Sequence, residues 1–148
     1  KTGDLYIKLL DTFISEAVSE VTIPVSQIDF TDYIRIDLYV DDPGNVGGLR
    51  LRINGINTYY SGSSQTASYL AELRPTYNTS AGVLAFNRPA AGDPVVCACE
   101  GVYRGQRYST IGYSEACTWD NLQQFNLSCI AGYAVPAGTR IILYGLRK

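Results

Sequence analysis

Histidine is missing from the 148 residues, and no other feature of the chain excludes as much chemistry. Without imidazole there is no Ser-His-Asp or Cys-His nucleophile, no His-ligated zinc and no His acid–base pair. Methionine is absent too. Because a translated chain opens on Met, the expectation is that the initiator or a longer segment precedes Lys1. Charge of one sign is equally lacking: Lys plus Arg total 12 against 14 for Asp plus Glu, a net charge of −2. With no basic field, neither nucleic acid nor an anionic membrane is an expected partner. No uninterrupted apolar run reaches membrane-spanning length, and the opening KTGDLYIKLL lacks the apolar core and small-residue cleavage site of a signal peptide. The chain reads as soluble.

What is present is β patterning. Apolar residues recur at period two, and Gly, Pro, Ser, Thr and Asn punctuate the whole length. A chain of this size buries roughly 70% of its unfolded surface in a single core, so one domain over residues 1–148 is expected. Strands are predicted at 5–10 (LYIKLL), 20–24 (EVTIP), 33–40 (YIRIDLYV), 49–54 (LRLRIN), 82–87, 94–103, 106–113, 123–130 and 138–145. In YIRIDLYV the alternation points Ile34, Ile36, Leu38 and Val40 inward and Tyr33, Arg35, Asp37 and Tyr39 outward. After the turn DDPGNVGG, LRLRIN points Leu49, Leu51 and Ile53 inward, so the two strands read as one hairpin-like unit. The segment 62–80 is open between a helical turn, a loop and a short strand. No long amphipathic helices separate the strands, which disfavours a parallel sheet. The fold class expected is all-β, an antiparallel two-sheet sandwich of jelly-roll type with about eight to ten strands.

The closing strand is apolar on both sides. Ile141 and Leu143 occupy one face and Ile142, Tyr144 and Leu146 the other, so both faces require a cover. Twelve tyrosines supply large rigid contact surfaces with a polar tip. On strand phase and aromatic content, the candidate partner contacts are Ile142, Tyr144, Leu146, Tyr59, Tyr60 and Tyr77.

Catalytic and metal signals are weak. Asp41, Asp42, Asp93, Glu100, Glu115 and Asp120 include the residue types of a glycosidase pair, but turns and solvent-facing strand positions account for them. Asp41, Asp42 and Asn45 could donate oxygens to calcium, yet the turn already explains them. Cys97, Cys99, Cys117 and Cys129 allow three disulfide connectivities. Cys97 and Cys99 share one face of a strand, so a bridge would run from either to Cys117 or Cys129, while buried thiols are the simpler reading. Their spacing does not match the paired C-x2-C pattern of a zinc ribbon. Neither metal nor cofactor is expected, and no enzymatic activity. NTS at 78–80 and NLS at 126–128 match the N-glycosylation triplet, a pattern common by chance.

Four segments in order carry a resemblance: VTIPVSQIDFTDYIRIDLYV at 21–40, LRLRINGINTYYSG at 49–62, the Trp119 segment before FNLSCI, and AGTRIILYGL at 137–146. Within them stand Ile23, Pro24 and Tyr33; Leu49, Leu51, Arg52, Asn54, Gly55 and Tyr60; and Gly138, Thr139, Ile141, Leu143, Tyr144, Gly145 and Leu146. In this the chain resembles small jelly-roll virion structural proteins of tailed bacteriophages. The resemblance implies a decoration or cement protein on the outer capsid surface, assembled in the host cytoplasm. It implies the major capsid protein and copies of itself, as a homotrimer, for partners. A tail-tip or fibre-end module binding a host receptor or surface glycan is the alternative. The four cysteines and the middle segment depart from the family pattern.

Overall fold

The computed structural model describes residues 5–42, 48–61, 65–73, 80–103 and 106–148. Among them are twelve strands: β1 (Tyr6–Phe13), β2 (Glu20–Pro24), β3 (Tyr33–Asp42), β4 (Leu49–Ile53), β5 (Tyr59–Ser61), β6 (Gln65–Ala67), β7 (Ala71–Leu73), β8 (Ser80–Phe86), β9 (Pro94–Tyr103), β10 (Gln106–Thr118), β11 (Gln124–Cys129) and β12 (Arg140–Arg147). They form two antiparallel sheets, ordered β1-β12-β3-β8-β9-β10-β5-β6 and β2-β11-β4-β7. The chain is an all-β two-sheet sandwich.

Its topology is that of a long hairpin wound into a roll. β1 pairs with β12, β2 with β11, β3 with β8 and β4 with β7, and successive members of the roll alternate between the sheets. This is the eight-strand jelly roll. The four further strands, β5-β6 inserted before β7 and β9-β10 inserted before β11, all extend the large sheet beyond β8. They carry the count above the eight to ten expected.

One expectation is overturned by this winding. β3 and β4 are not a hairpin: β3 lies between β12 and β8 in the large sheet, and β4 between β11 and β7 in the small one. Their inward rows face each other across the core instead of lying side by side. Ile36, Leu38 and Val40 of β3 and Ile141 and Leu143 of β12 are buried, as are Leu49, Leu51 and Ile53 of β4 with Phe125 and Leu127 of β11. Trp119 closes one end of the core, tilted on Phe30 at 5.3 Å between ring centroids and edge-on to Phe86 at 5.9 Å.

The predicted phase of β3 fails at its first two residues. The ladder with β12 pairs Leu146 with Arg35 and Arg147 with Tyr33, so the strand carries an extra residue there. The irregularity flips the alternation. Tyr33 turns in, where its ring covers Gly145, and Ile34 turns out, 39% exposed.

Asn54 in the motif RINGIN adopts φ 50°, a left-handed conformation that Asn tolerates. Its side-chain oxygen accepts from the backbone N–H of Gln123 (2.7 Å) and Gln124 (3.2 Å), and its amide donates to the Asn121 carbonyl (2.9 Å). The Gly55 N–H donates in turn to Asn126 Oδ1 at 2.9 Å. These bonds lock the end of β4 to the β10–β11 connection. Asn126 is therefore a buried structural residue, which leaves the NLS triplet without an accessible acceptor side chain.

Candidate functional site

The outer faces of the two sheets differ in character. On the small sheet, cross-strand pairing sets Glu20, Ser128, Arg50 and Glu72 in one row and Thr22, Asn126 and Arg52 in the next. Every one of these side chains is polar. Arg50 Nε donates to Glu72 Oε2 at 2.9 Å, and its guanidinium lies 4.6 Å from the centre of the Tyr69 ring. Such a face needs no cover but water.

On the large sheet two outward rows that start from Lys8 and Asp11 on β1 are mostly apolar and aromatic beyond it. Tyr144, Asp37, Ala85, Ala98 and Ile111 follow one another across five strands, and Ile142, Tyr39 and Val83 run beside them. Ile111 is 54% exposed, Tyr39 38% and Val83 37%. A groove of about 760 Å3 opens over Tyr6, Tyr39, Val83, Ile142 and Tyr144, with Asp41 and Arg140 at its polar side. A smaller depression of about 320 Å3 continues over Ala85, Ala98 and Ile111, with Arg35 and Ser109 also lining it.

A buried carboxylate organises the groove. Asp37 is only 2% exposed although it points to the outer side of β3. It is covered by its own partners: Tyr6 Oη donates to Oδ2 at 2.8 Å and Arg35 Nε to Oδ1 at 2.9 Å. The Tyr6 phenol is raised well above its ordinary pKa, first by local desolvation, then by the Tyr39 hydroxyl and the Asp37 carboxylate beside it. Tyr6 stacks on Tyr144 with centroids 4.9 Å apart, and Tyr39 meets Tyr144 edge-on at 5.4 Å. At the groove rim Arg140 grips Asp11 with two bonds of 3.0 and 2.7 Å, and Lys8 adds a third at 3.1 Å. These hydrogen bonds hold the Asp11 carboxyl well below the usual carboxylate range.

Of the sequence candidates, Ile142, Tyr144 and Leu146 lie together on this outer face, each half-buried. Tyr60 is on the same face at its far end, stacked on Tyr113 at 5.1 Å. Tyr59 is a correction. It has no exposed surface and its hydroxyl bridges the N–H (2.8 Å) and carbonyl (3.2 Å) of Ile53, so it is a core residue and touches no partner. Tyr77 lies outside the described residues. Tyr6, Val83 and Ile111 were not singled out by sequence reasoning. The signal available was apolar residues at outward phase, as in the doubly apolar runs VLAF and IILYGL.

All four cysteines are buried, and none is in a disulfide. Burial lifts the Cys97 thiol far above its ordinary range and pushes Cys117 up to about 11, leaving both as unreactive thiols. Among the described residues no three His, Cys, Asp or Glu side chains gather as a metal site. The candidate carboxylates scatter: Asp41 lines the groove, Asp120 ties down a loop by accepting from the Gly92 N–H at 2.8 Å, and Glu115 is exposed. Compared with protein-family models and with curated proteins, the chain matches none.

Proposed function

We propose that this chain is a structural protein of a tailed-phage virion, a capsid decoration (cement) protein. In this reading it sits on the outer capsid surface through the outer face of its large sheet, as a homotrimer with the major capsid protein as partner. Its role is to bind and stabilise, with no turnover of substrate. The observation that carries the reading is the inequality of the two outer faces: one is built of polar and charged rows with Pro24 at its end, the other carries apolar and aromatic side chains across five strands, with Arg35, Asp37 and Ser109 set among them. A large exposed apolar surface rimmed by charge is the mark of an interaction face. The sequence resemblance to small jelly-roll virion proteins supplies the setting.

The magnitude suits a repeated contact. Tyr6, Tyr39, Val83 and Ile111 are each roughly two-fifths to one-half exposed. Covering what remains of these four side chains gains on the order of 4 kcal/mol of gross hydrophobic free energy per copy, before the entropic cost of association. Summed over a symmetric shell, a modest gain per copy stabilises the whole particle.

Purified protein added to undecorated capsids is expected to bind to saturation, with a copy number in the hundreds, and to raise the temperature at which the particle opens. Val83→Glu and Ile111→Glu place a charge at outward positions, and both variants should fold normally and fail to bind. Absence of capsid binding by the unmodified chain, together with adsorption to host cells, would transfer the assignment to a tail-tip or fibre-end module.

A further inference from the structure

Three of the four sheet edges are short or blunted. β2 spans five residues and ends on Pro24, and β6 and β7 span three each. The fourth edge, β1, runs for eight residues, pairs with β12 on one side and has no other described strand on its second side. An open edge of that length is a template for another strand. We infer that the strand it takes is β1 of a second copy of this chain, the two lying antiparallel about a two-fold axis with Lys8 of each opposite Asp11 of the other.

β1 is palindromic in phase. Lys8 pairs with Tyr144 and Leu10 with Leu143, which makes Leu9 an extra residue. The bulge turns both Leu9 and Leu10 toward the core and resets the alternation after them. Tyr6, Lys8, Asp11 and Phe13 are therefore the exposed residues of the strand and Ile7, Leu9, Leu10 and Thr12 the half-buried ones, an order that reads the same from either end.

The backbone shares this symmetry. The Arg147 N–H donates to the Leu5 carbonyl at 2.7 Å, and the Ile14 N–H donates to the Thr139 carbonyl at 2.9 Å. Counting inward from these two ends by the antiparallel alternation, Ile7, Leu10 and Thr12 turn their N–H and C=O groups to β12, while Tyr6, Lys8, Asp11 and Phe13 turn theirs to the open side. Self-pairing centred on the two leucines sets Tyr6 against Phe13, Ile7 against Thr12 and Lys8 against Asp11, and the axis repeats each pair. Every opposed pair then agrees in face and in hydrogen-bonding direction. A regular strand laid on the same edge falls out of phase beyond the bulge. The bulge and Lys8, which blunt the edge against foreign strands, are thus the features that fit it to its own copy.

The side chains are complementary as well. Lys8 Nζ already lies 3.1 Å from Asp11 of its own chain, and Asp11 is also held by Arg140 at 2.7 Å. In the pair Lys8 gains a second carboxylate. Phe13, at 64% the most exposed of the large apolar side chains described, falls against Tyr6, which is 43% exposed. Opposite charges and facing aromatics are favourable cross-strand pairs. A contact of this isologous kind closes at two copies. It rests on β1 alone and not on the capsid reading, and where the chain is trimeric it links one trimer to the next.

Sedimentation velocity of the full-length chain over a dilution series, with no capsid present, should show self-association. Lys8→Glu opposes acidic side chains at two places and Phe13→Glu removes both aromatic contacts, so each should raise the dissociation constant about tenfold or more. Both positions are exposed, and Tm should stay at the parent value. Crosslinking reads the register. Phe13 lies opposite Tyr6 of the other copy while the two Phe13 positions are ~20 Å apart. Under mild oxidation an equimolar mixture of Tyr6→Cys and Phe13→Cys proteins should give disulfide-linked dimers, and Phe13→Cys alone should give none. The four native thiols are buried and do not compete. A chain that stays monomeric at its highest soluble concentration overturns the inference, as does crosslinking of Phe13→Cys alone to the level of the mixture. A trimer that both glutamate variants leave intact, with no crosslink in the mixture, overturns it while leaving the capsid contact standing. Failure of the unmodified chain to bind capsids, with the β1 crosslink formed, does the reverse.

Discussion

Gly112→Ala is the most exacting test of how the two sheets meet. Gly112 faces inward on β10, and a Cβ built on it would lie 2.0 Å from the carbonyl oxygen of Leu70. That oxygen belongs to backbone, and Leu70 is itself anchored by a 2.7 Å bond from its N–H to the Leu51 carbonyl. No side chain can swing aside to admit the methyl group. The sheets must separate locally or the Leu70 bond must stretch. Overpacking of this kind costs ~1–3 kcal/mol, and the backbone nature of the obstacle argues for the upper end. Ala also restricts the unfolded chain, which returns about 0.4–1 kcal/mol. The net loss expected is about 2 kcal/mol, equivalent to a fall of ~4–8 °C in Tm for a domain of this size. Urea denaturation of Gly112→Ala beside Gly55→Ala isolates the cause. Gly55 has φ +66° with open space around it, so its substitution carries only the left-handed backbone penalty of ~1–2 kcal/mol. A Gly112→Ala protein within about 0.5 kcal/mol of the parent would show that the sheets are not in backbone contact there.

Tyr59→Phe should destabilise by about 1–3 kcal/mol, because it strands the buried Ile53 N–H that the hydroxyl accepts. The same phenol, pushed up to about 12 by burial, favours the fold while neutral. Its contribution is complete below the unfolded value near pH 10 and is lost as pH rises toward 12. Alkaline unfolding curves should therefore be shallower over that window in Tyr59→Phe than in the parent. Asn54→Gly keeps the left-handed conformation and loses the four side-chain bonds, the fourth running from its amide to Cys117 Sγ at 3.5 Å, while Asn54→Ala loses both. Chemical denaturation should rank parent above Gly above Ala, the last two about 1 kcal/mol apart. Equal stability of the two variants would mean that the conformation at residue 54 is not strained.

Most of the longer strands and their inner faces were legible from alternation, since a period of two fixes which side of a strand each residue takes, whereas the three-residue strands β5, β6 and β7 are too short to show a period. Cys97 and Cys99, two apart, do share the inner face of β9. Pairing was not legible. A strand with one buried row can lie beside its neighbour in a sheet or oppose it across the core, and both arrangements write the same pattern. What places β3 and β4 in different sheets is distant partners: Leu38 opposite Leu143, and Leu51 opposite Leu127. Irregular residues defeat phase reasoning in the same way. The extra residue in β3 that exchanges Tyr33 and Ile34 is visible only against β12. Tyr59 and Tyr60 are the opposite case, for adjacent residues of a strand cannot both face outward. Alternation excluded one of the pair, and packing decided that Tyr59 goes inside. The NG dipeptide announced a turn, but the clamp on Asn54 comes from Gln123 and Gln124, far along the chain.

The closing strand shows how a two-sided apolar pattern is divided within one molecule. Its inner row, Ile141 and Leu143, is fully covered by the opposite sheet. Its outer row is covered only in part, and by the molecule itself: Tyr6 stacks on Tyr144, Tyr39 meets the same ring edge-on, and Asp37 anchors Tyr6 over it. Part of the area that the sequence alone would assign to a partner is thus already withdrawn from water by β1 and β3. The surface still in water belongs more to its neighbours, to Tyr6 and Tyr39 beside it and to Val83 and Ile111 further across the sheet, than to the closing strand's own half-buried residues. Gain on association scales with area still in water, not with apolar content. The face should then draw more of its binding free energy from Tyr6, Tyr39, Val83 and Ile111, on the strands around it, than from the closing strand that first suggested it, with Asp37 holding Tyr6 in place.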